Sequence, residues 1–139
     1  MRFLGLDIGS KRIGLALSDE LGIIAQGLPT LNRTTPKNDI RKLLEIASQH
    51  KVEKIVIGLP KNLNGTLGKS AEQVLAFIQE MKAKTAIPVD VWDERFSTVA
   101  VTRTLVSANV SRRRRKEVVD KLAAVYILQG FLDNHRRLN

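Results

Sequence analysis

The sequence predicts an α/β fold: a mixed five-stranded sheet, its first three strands antiparallel, with helices on both faces. Three observations predict it. Between Phe3 and Leu31 lie three extended segments joined by turn chemistry, with no helical periodicity. From Pro36 onward, stretches of helical spacing alternate with short β-branched runs. A meander followed by alternation makes one side of a sheet antiparallel and the other parallel, and right-handed crossovers leave few ways to wind it.

Taken in order, Phe3-Leu-Gly-Leu-Asp-Ile8 reads as a buried strand carrying one carboxylate. Gly9-Ser-Lys-Arg12 has turn chemistry, and Ile13–Leu17 reads as the returning strand of a hairpin. A third extended segment spans Ile23 to Leu31, with Pro29 confining its end to an edge or a turn. Pro36 introduces a helix over Lys37–Gln49, with Ile40, Leu43, Leu44 and Ala47 on one face. Lys54–Gly58 is a central strand, Leu59–Gly68 a loop, and Lys69–Lys84 a helix with Val74, Phe77, Ile78 and Met81 on one face. Pro88–Trp92 is the fifth strand. Ser97 or Thr98 would cap a helix to about Ser107. The basic run Arg112–Lys116 follows, and an apolar helix over Lys116–Asn134 closes the chain.

Composition narrows the chemistry. The 139 residues suit one domain, residues 1–139. The absence of Cys excludes disulfides, thiol catalysis and Cys-type zinc sites. His50 and His135 lack a second His at zinc-ligand spacing, and no run is long enough to span a membrane. A cytoplasmic protein with no membrane partner is expected. The unusual quantity is a net charge of +9, which attracts polyanions, nucleic acid first among them.

Three acids stand where acids are costly. Asp7 sits inside an apolar strand, and Glu94 follows the strand ending at Trp92. Asp120 lies in the last helix, with Ala123, Ala124 and Ile127 on its own face. The two alanines would let that face come close to a neighbouring element. Carboxylates on partly buried elements repel one another, and divalent cations relieve this. With oxygen donors and no His or Cys cluster, Mg²⁺ or Mn²⁺ is the natural choice. Each acid also has a plainer reading. Backbone amides of the Gly9–Lys11 turn would satisfy Asp7, the helix macrodipole would favour Asp120, and Arg95 would pair with Asp93 or Glu94. Spacing alone does not bring the three together.

The residues carry a resemblance that does. Leu6-Asp-Ile-Gly-Ser-Lys-Arg-Ile-Gly14, Val56-Ile-Gly-Leu-Pro60 with Asn62 and Gly65, Asp93-Glu-Arg-Phe-Ser-Thr98, and Lys116-Glu-Val-Val-Asp-Lys-Leu-Ala-Ala124 stand in this order along essentially the whole chain. In this the sequence resembles the pre-16S rRNA nuclease family, the YqgF-type, Holliday-junction-resolvase-like proteins of ribonuclease H-like fold. The resemblance implies that Asp7, Glu94 and Asp120 are catalytic and hold two divalent ions. It implies that Lys116 and Arg95 touch substrate phosphate, and that Asn62 and Gly65 belong to a loop beside the site. In that fold the first strand is central and its Asp faces the last helix. The implied activity is endonucleolytic maturation of the 5′ end of 16S rRNA, with resolution of branched DNA as the alternative; a nucleic-acid-binding assembly factor without turnover is a third reading, of another class. Implied partners are precursor rRNA or branched DNA and precursors of the ribosomal subunit. Monomer and homodimer both stay open.

Two further motifs mislead. Gly65-Thr-Leu-Gly-Lys-Ser70 ends like a phosphate-binding loop, but Leu63 stands where its first Gly belongs. Asp7-Ile-Gly-Ser-Lys11 looks like the phosphate loop of sugar kinases, which need two such domains to form a nucleotide cleft. Trp92 reads as core rather than as a platform for bases. The basic charge is concentrated: from Arg95 onward ten Lys or Arg face three acids, carrying +7 of the +9. Arg95, Arg112, Arg113, Arg114, Arg115 and Lys116 lie in this segment and are expected contacts to nucleic acid, together with Lys11 and Arg12 in the turn after Asp7 and with Asn62, which the resemblance implies.

Overall fold

The computed structural model describes residues 1–60, 68–93 and 112–138, with side chains of the last helix described over 122–136. The elements are β1 (Phe3–Ile8), β2 (Arg12–Ser18), β3 (Ala25–Asn32), α1 (Pro36–Gln49), β4 (Lys54–Leu59), α2 (Lys69–Lys82), β5 (Val89–Asp93) and α3 (Arg112–Leu138). The sheet runs β3-β2-β1-β4-β5, so β1 is central. β1 pairs antiparallel with β2 and parallel with β4, and β4 pairs parallel with β5. This is the mixed sheet the meander and alternation predict. The helix expected over 97–107 lies outside the described residues.

Alternation along the strands sorts the core into two layers. Leu4, Leu6, Ile13, Leu15, Ile55 and Ile57 face α1 and α2. Phe3, Ala16 and Val56 face α3, where Ala123, Ala124, Ile127, Leu128 and Leu132 are buried. Helices therefore cover both faces. Among the described residues no helix is long and apolar enough to cross a membrane.

Boundaries differ from expectation for local reasons. β3 begins at Ala25, not Ile23, because the Ile23 and Ile24 amides donate to Asp19 Oδ1 at 2.7 and 3.0 Å. Those bonds, Ile24 first and Ile23 second, hold the Asp19 carboxyl below its usual value. Pro29 lies in β3 at the sheet edge, where its missing N–H costs least. Thr35 caps α1 by accepting from the Asn38 amide at 3.2 Å, and Pro36 occupies the first turn. α2 ends at Lys82, two residues early. The larger correction is α3, which runs from Arg112 to Leu138 rather than from Lys116 to Asn134, so the basic run is helical backbone. Arg and Lys are strong helix formers, and the run extends the apolar helix instead of interrupting it. Asp120 consequently sits beyond the second turn of α3, outside the reach of the macrodipole that would otherwise explain it.

α3 is tied across the sheet. Phe3 meets Phe131 and His135 at ring-centroid distances of 5.8 and 5.7 Å. Trp92 of β5 meets Phe131 edge-on at 6.3 Å and lies over Gly130, so it is a packing residue as expected. Toward the other edge, Gln129 accepts from the Ala25 amide at 2.9 Å and donates to the Ile23 carbonyl at 2.8 Å. The closest approach is at Gly5. A Cβ there would lie 2.6 Å from Leu128 Cβ and 3.3 Å from the Ala124 carbonyl. Small residues on both elements allow this, as the Ala123–Ala124 pair predicts. A Gly5→Val protein is expected to lose about 1–3 kcal/mol of stability in chemical denaturation, because α3 must lift from β1. Wild-type stability would mean that the helix yields without cost.

Candidate active site

The site is built at the C-terminal end of β1. Asp7 is the penultimate residue of that strand, opposite Gly14 of β2, and is only 8% exposed. Alternation puts it on the same face as Gly5 and Phe3, the face α3 covers. β1 then turns sharply. The Gly9 amide donates to the Arg12 carbonyl at 2.9 Å, and a Cβ on Gly9 would stand 2.6 Å from that oxygen. Only glycine fits this turn without a shift.

The turn is braced from outside. The Arg33 amide donates to the Lys11 carbonyl at 2.9 Å, and Arg33 Nη1 donates to the Gly9 carbonyl at 2.8 Å. Arg33 Nε donates to Asp39 Oδ2 at 2.8 Å, and the guanidinium stands over the Phe77 ring at 5.4 Å. The Asp39 side chain is fully buried. Its Oδ1 accepts from the Thr34 amide at 3.0 Å and the Thr34 hydroxyl at 2.9 Å. Burial pushes the Asp39 carboxyl up, but Arg33 and Thr34 outweigh it and hold the group below the usual carboxylate value. The sequence reading missed this pair. The signal was present: Asp39 stands four residues before Leu43, at the edge of the apolar stripe of α1, where a carboxylate needs a partner.

A cleft of about 790 Å³ opens between this turn and α2. Asp7, Lys11 and Arg12 line it together with Ser10, Arg33, Thr34, Ser70 and Glu80. Three of the sequence-predicted site residues therefore border this cleft, while alternation sends the Asp7 side chain to the opposite face, under α3. Asn62, Glu94 and Arg95 lie outside the described residues, as does Gly65. Asp120 and Arg112, Arg113, Arg114, Arg115 and Lys116 are on the helical backbone of α3, with their side chains outside the description. The helical spacing puts position 120 one turn before Ala124, whose carbonyl lies against Gly5. β5 ends at Asp93, paired with Leu59 at the sheet end where β1 delivers Asp7. Among the described residues no group of three metal-ligating side chains occurs. What the described residues do offer a hard divalent cation is one buried carboxylate at the end of β1, on the face that α3 covers, the right donor chemistry. The cleft wall offers cations to phosphate.

A family model described as "RuvX: Holliday junction resolvase" matches residues 1–134. A protein of Desulforamulus reducens named "Putative pre-16S rRNA nuclease" is 53% identical over 134 residues, covering 96% of this chain and 98% of its own. A protein of the same name from Clostridioides difficile is 54% identical over 132 residues, covering 95% and 94%. Among solved structures, Thermus thermophilus RuvC in complex with a Holliday junction substrate superposes with a TM-score of 0.58 at 14% identity, over 98% of this chain and 96% of that one. The fowlpox virus Holliday junction resolvase superposes with a TM-score of 0.54 at 15% identity, over the whole of both chains. At such identities these structures are similar in fold alone.

Proposed function

Because the chain belongs to the RuvX family, whose model matches residues 1–134, we propose that it is a metal-dependent nuclease that hydrolyses phosphodiester bonds in structured RNA, with precursor 16S rRNA as substrate. One observation carries the choice of substrate: the relatives named for pre-16S rRNA are about half identical to it over nearly their full length.

Asp7, Glu94 and Asp120 are the proposed ligands for Mg²⁺ or Mn²⁺. A bound ion of this kind lowers the cost of the charge that builds on a phosphodiester during hydrolysis. The rest falls to the chain. Asp7 supplies an anionic oxygen on a central strand, which cannot shift without moving β2 and β4. Lys11 and Arg12 on the cleft wall hold substrate phosphate, and the Arg33 brace keeps their turn in one conformation. Arg95, Asn62 and the α3 run Arg112–Lys116 extend the phosphate-binding surface, consistent with the charge concentrated in that part of the chain. Residues 1–139 act as one nuclease domain in the cytoplasm, with ribosomal subunit precursors as the setting.

The family's own description favours a second substrate, the four-way DNA junction. Incubating the protein with a precursor 16S rRNA fragment and with such a junction, with Mg²⁺ or with EDTA, separates the two. Cleavage of the RNA that EDTA abolishes is the expected result. Preferential cutting of the junction by a two-fold dimer would assign the chain to branched DNA. Tight binding without cleavage of either would make it a non-catalytic assembly factor.

A further inference from the structure

The cleft at the end of β1 is larger than one phosphate requires. Its volume of about 790 Å³ falls within the roughly 300–1,000 Å³ of sites that enclose a small organic ligand. Its walls divide by chemistry. Pro36, Val74 and Phe77 are apolar, and Lys11, Arg12 and Arg33 are cationic. A nucleotide has the same division, a flat base and a charged phosphate.

Arg33 selects this ligand over a bare anion. Its guanidinium is fixed by Asp39 and the Gly9 carbonyl, rests on the Phe77 ring, and leaves the side chain 20% exposed on the cleft wall. A guanidinium held in one plane is a stacking surface for an unpaired base, and it stays ordered because its orientation does not depend on the ligand. A base paired within a duplex keeps its faces in the stack and cannot enter a concave site.

From this we infer that the cleft takes one unpaired nucleotide of the substrate strand, next along the strand, around the end of β1, from the phosphate presented to Asp7 on the α3 face. The base lies against Arg33 and the apolar wall, and the backbone phosphate against Lys11 and Arg12. The nuclease reading above is its premise, and it narrows that substrate to RNA that is single-stranded at the bond cut.

Ala76 and Gln73 line the cleft from the exposed side of α2, so a Trp at either position fills it without removing a core side chain or a bond of the brace. The probe is a fluorescent eight-nucleotide RNA, used as a single strand and as a blunt duplex, in EDTA so that nothing is cut. In Ala76→Trp and in Gln73→Trp, affinity for the single strand is expected to fall about tenfold, the worth of one stacked base, while duplex affinity changes by less than about twofold. Unchanged single-strand affinity in both variants overturns the assignment, and so does an equal loss on the two probes, which would mark a general backbone track. Competition by free 5′-AMP as tight as that by the octamer also overturns it, in favour of a mononucleotide site. Wild-type cleavage in Mg²⁺ is scored separately. A selective loss of single-strand binding in a protein that cleaves nothing would support the cleft and reject the nuclease.

Discussion

Asp7→Asn is expected to lower metal-dependent cleavage by more than about a hundredfold while RNA binding in EDTA stays within about threefold of wild type. Losing a group that merely orients a metal ligand typically costs about 10–100-fold, and a ligand itself should cost more. Asn keeps the size and removes the charge, so the strand end beside Gly14 has no steric reason to move. Binding should persist because the proposed phosphate contacts are Lys11, Arg12 and the basic α3 run rather than the acid. Circular dichroism and the unfolding midpoint check that the fold is kept. Full cleavage by the Asn protein would remove Asp7 from the site and return it to a structural role beside the Gly9 turn.

Asp39→Ala should have the largest effect on stability, a loss of about 3–5 kcal/mol in chemical denaturation at neutral pH. The change leaves the Arg33 guanidinium without its buried counter-ion and the Thr34 amide and hydroxyl without their acceptor. It also has a pH signature. The folded carboxyl titrates below its ordinary value of 3.8, so the unfolded chain binds the proton first as pH falls. The stabilisation is therefore complete above the unfolded value and is lost as pH drops through the folded one. Wild-type stability should decline steeply with acid in that window, and the Ala protein should be flatter there. Identical slopes would show that the pair contributes nothing. Replacing both partners, Arg33→Met with Asp39→Leu, should cost less than Asp39→Ala alone, because no buried charge is then left unpaired. Cleavage should still fall in the double variant, since the bond from Arg33 to the Gly9 carbonyl is gone.

Much of this molecule is legible in its local sequence patterns. A carboxylate in Phe3–Ile8 is conspicuous because a buried strand has no ordinary use for one. Alternation in the strands and the apolar stripes of α1 and α2 are local patterns, and they located seven of the eight elements among the described residues to within about two residues. The eighth, α3, extends four residues beyond the expected helix at each end, at its start because the basic run looked like a boundary. Charge is a poor guide to helix ends where the charged residues are themselves helix formers.

The sequence by itself determined the kind of chemistry available: acids for hard cations, basic charge for phosphate, no thiol, and the family whose motifs run along the chain. It also determined the buried strand that carries Asp7, whose central place the resemblance implied and the sheet order shows. Only the tertiary structure decided that Lys11 and Arg12 share a cleft with Asp7, and that Arg33 and Asp39 hold their turn. Periodicity records which face of an element is apolar, a property of neighbours within one turn or one pleat. The bond from Arg33 to the Gly9 carbonyl joins residues 24 apart, at the ends of different strands. It exists because β3 returns beside β2 while the first turn of α1 brings Asp39 beneath it, and no local pattern encodes that meeting.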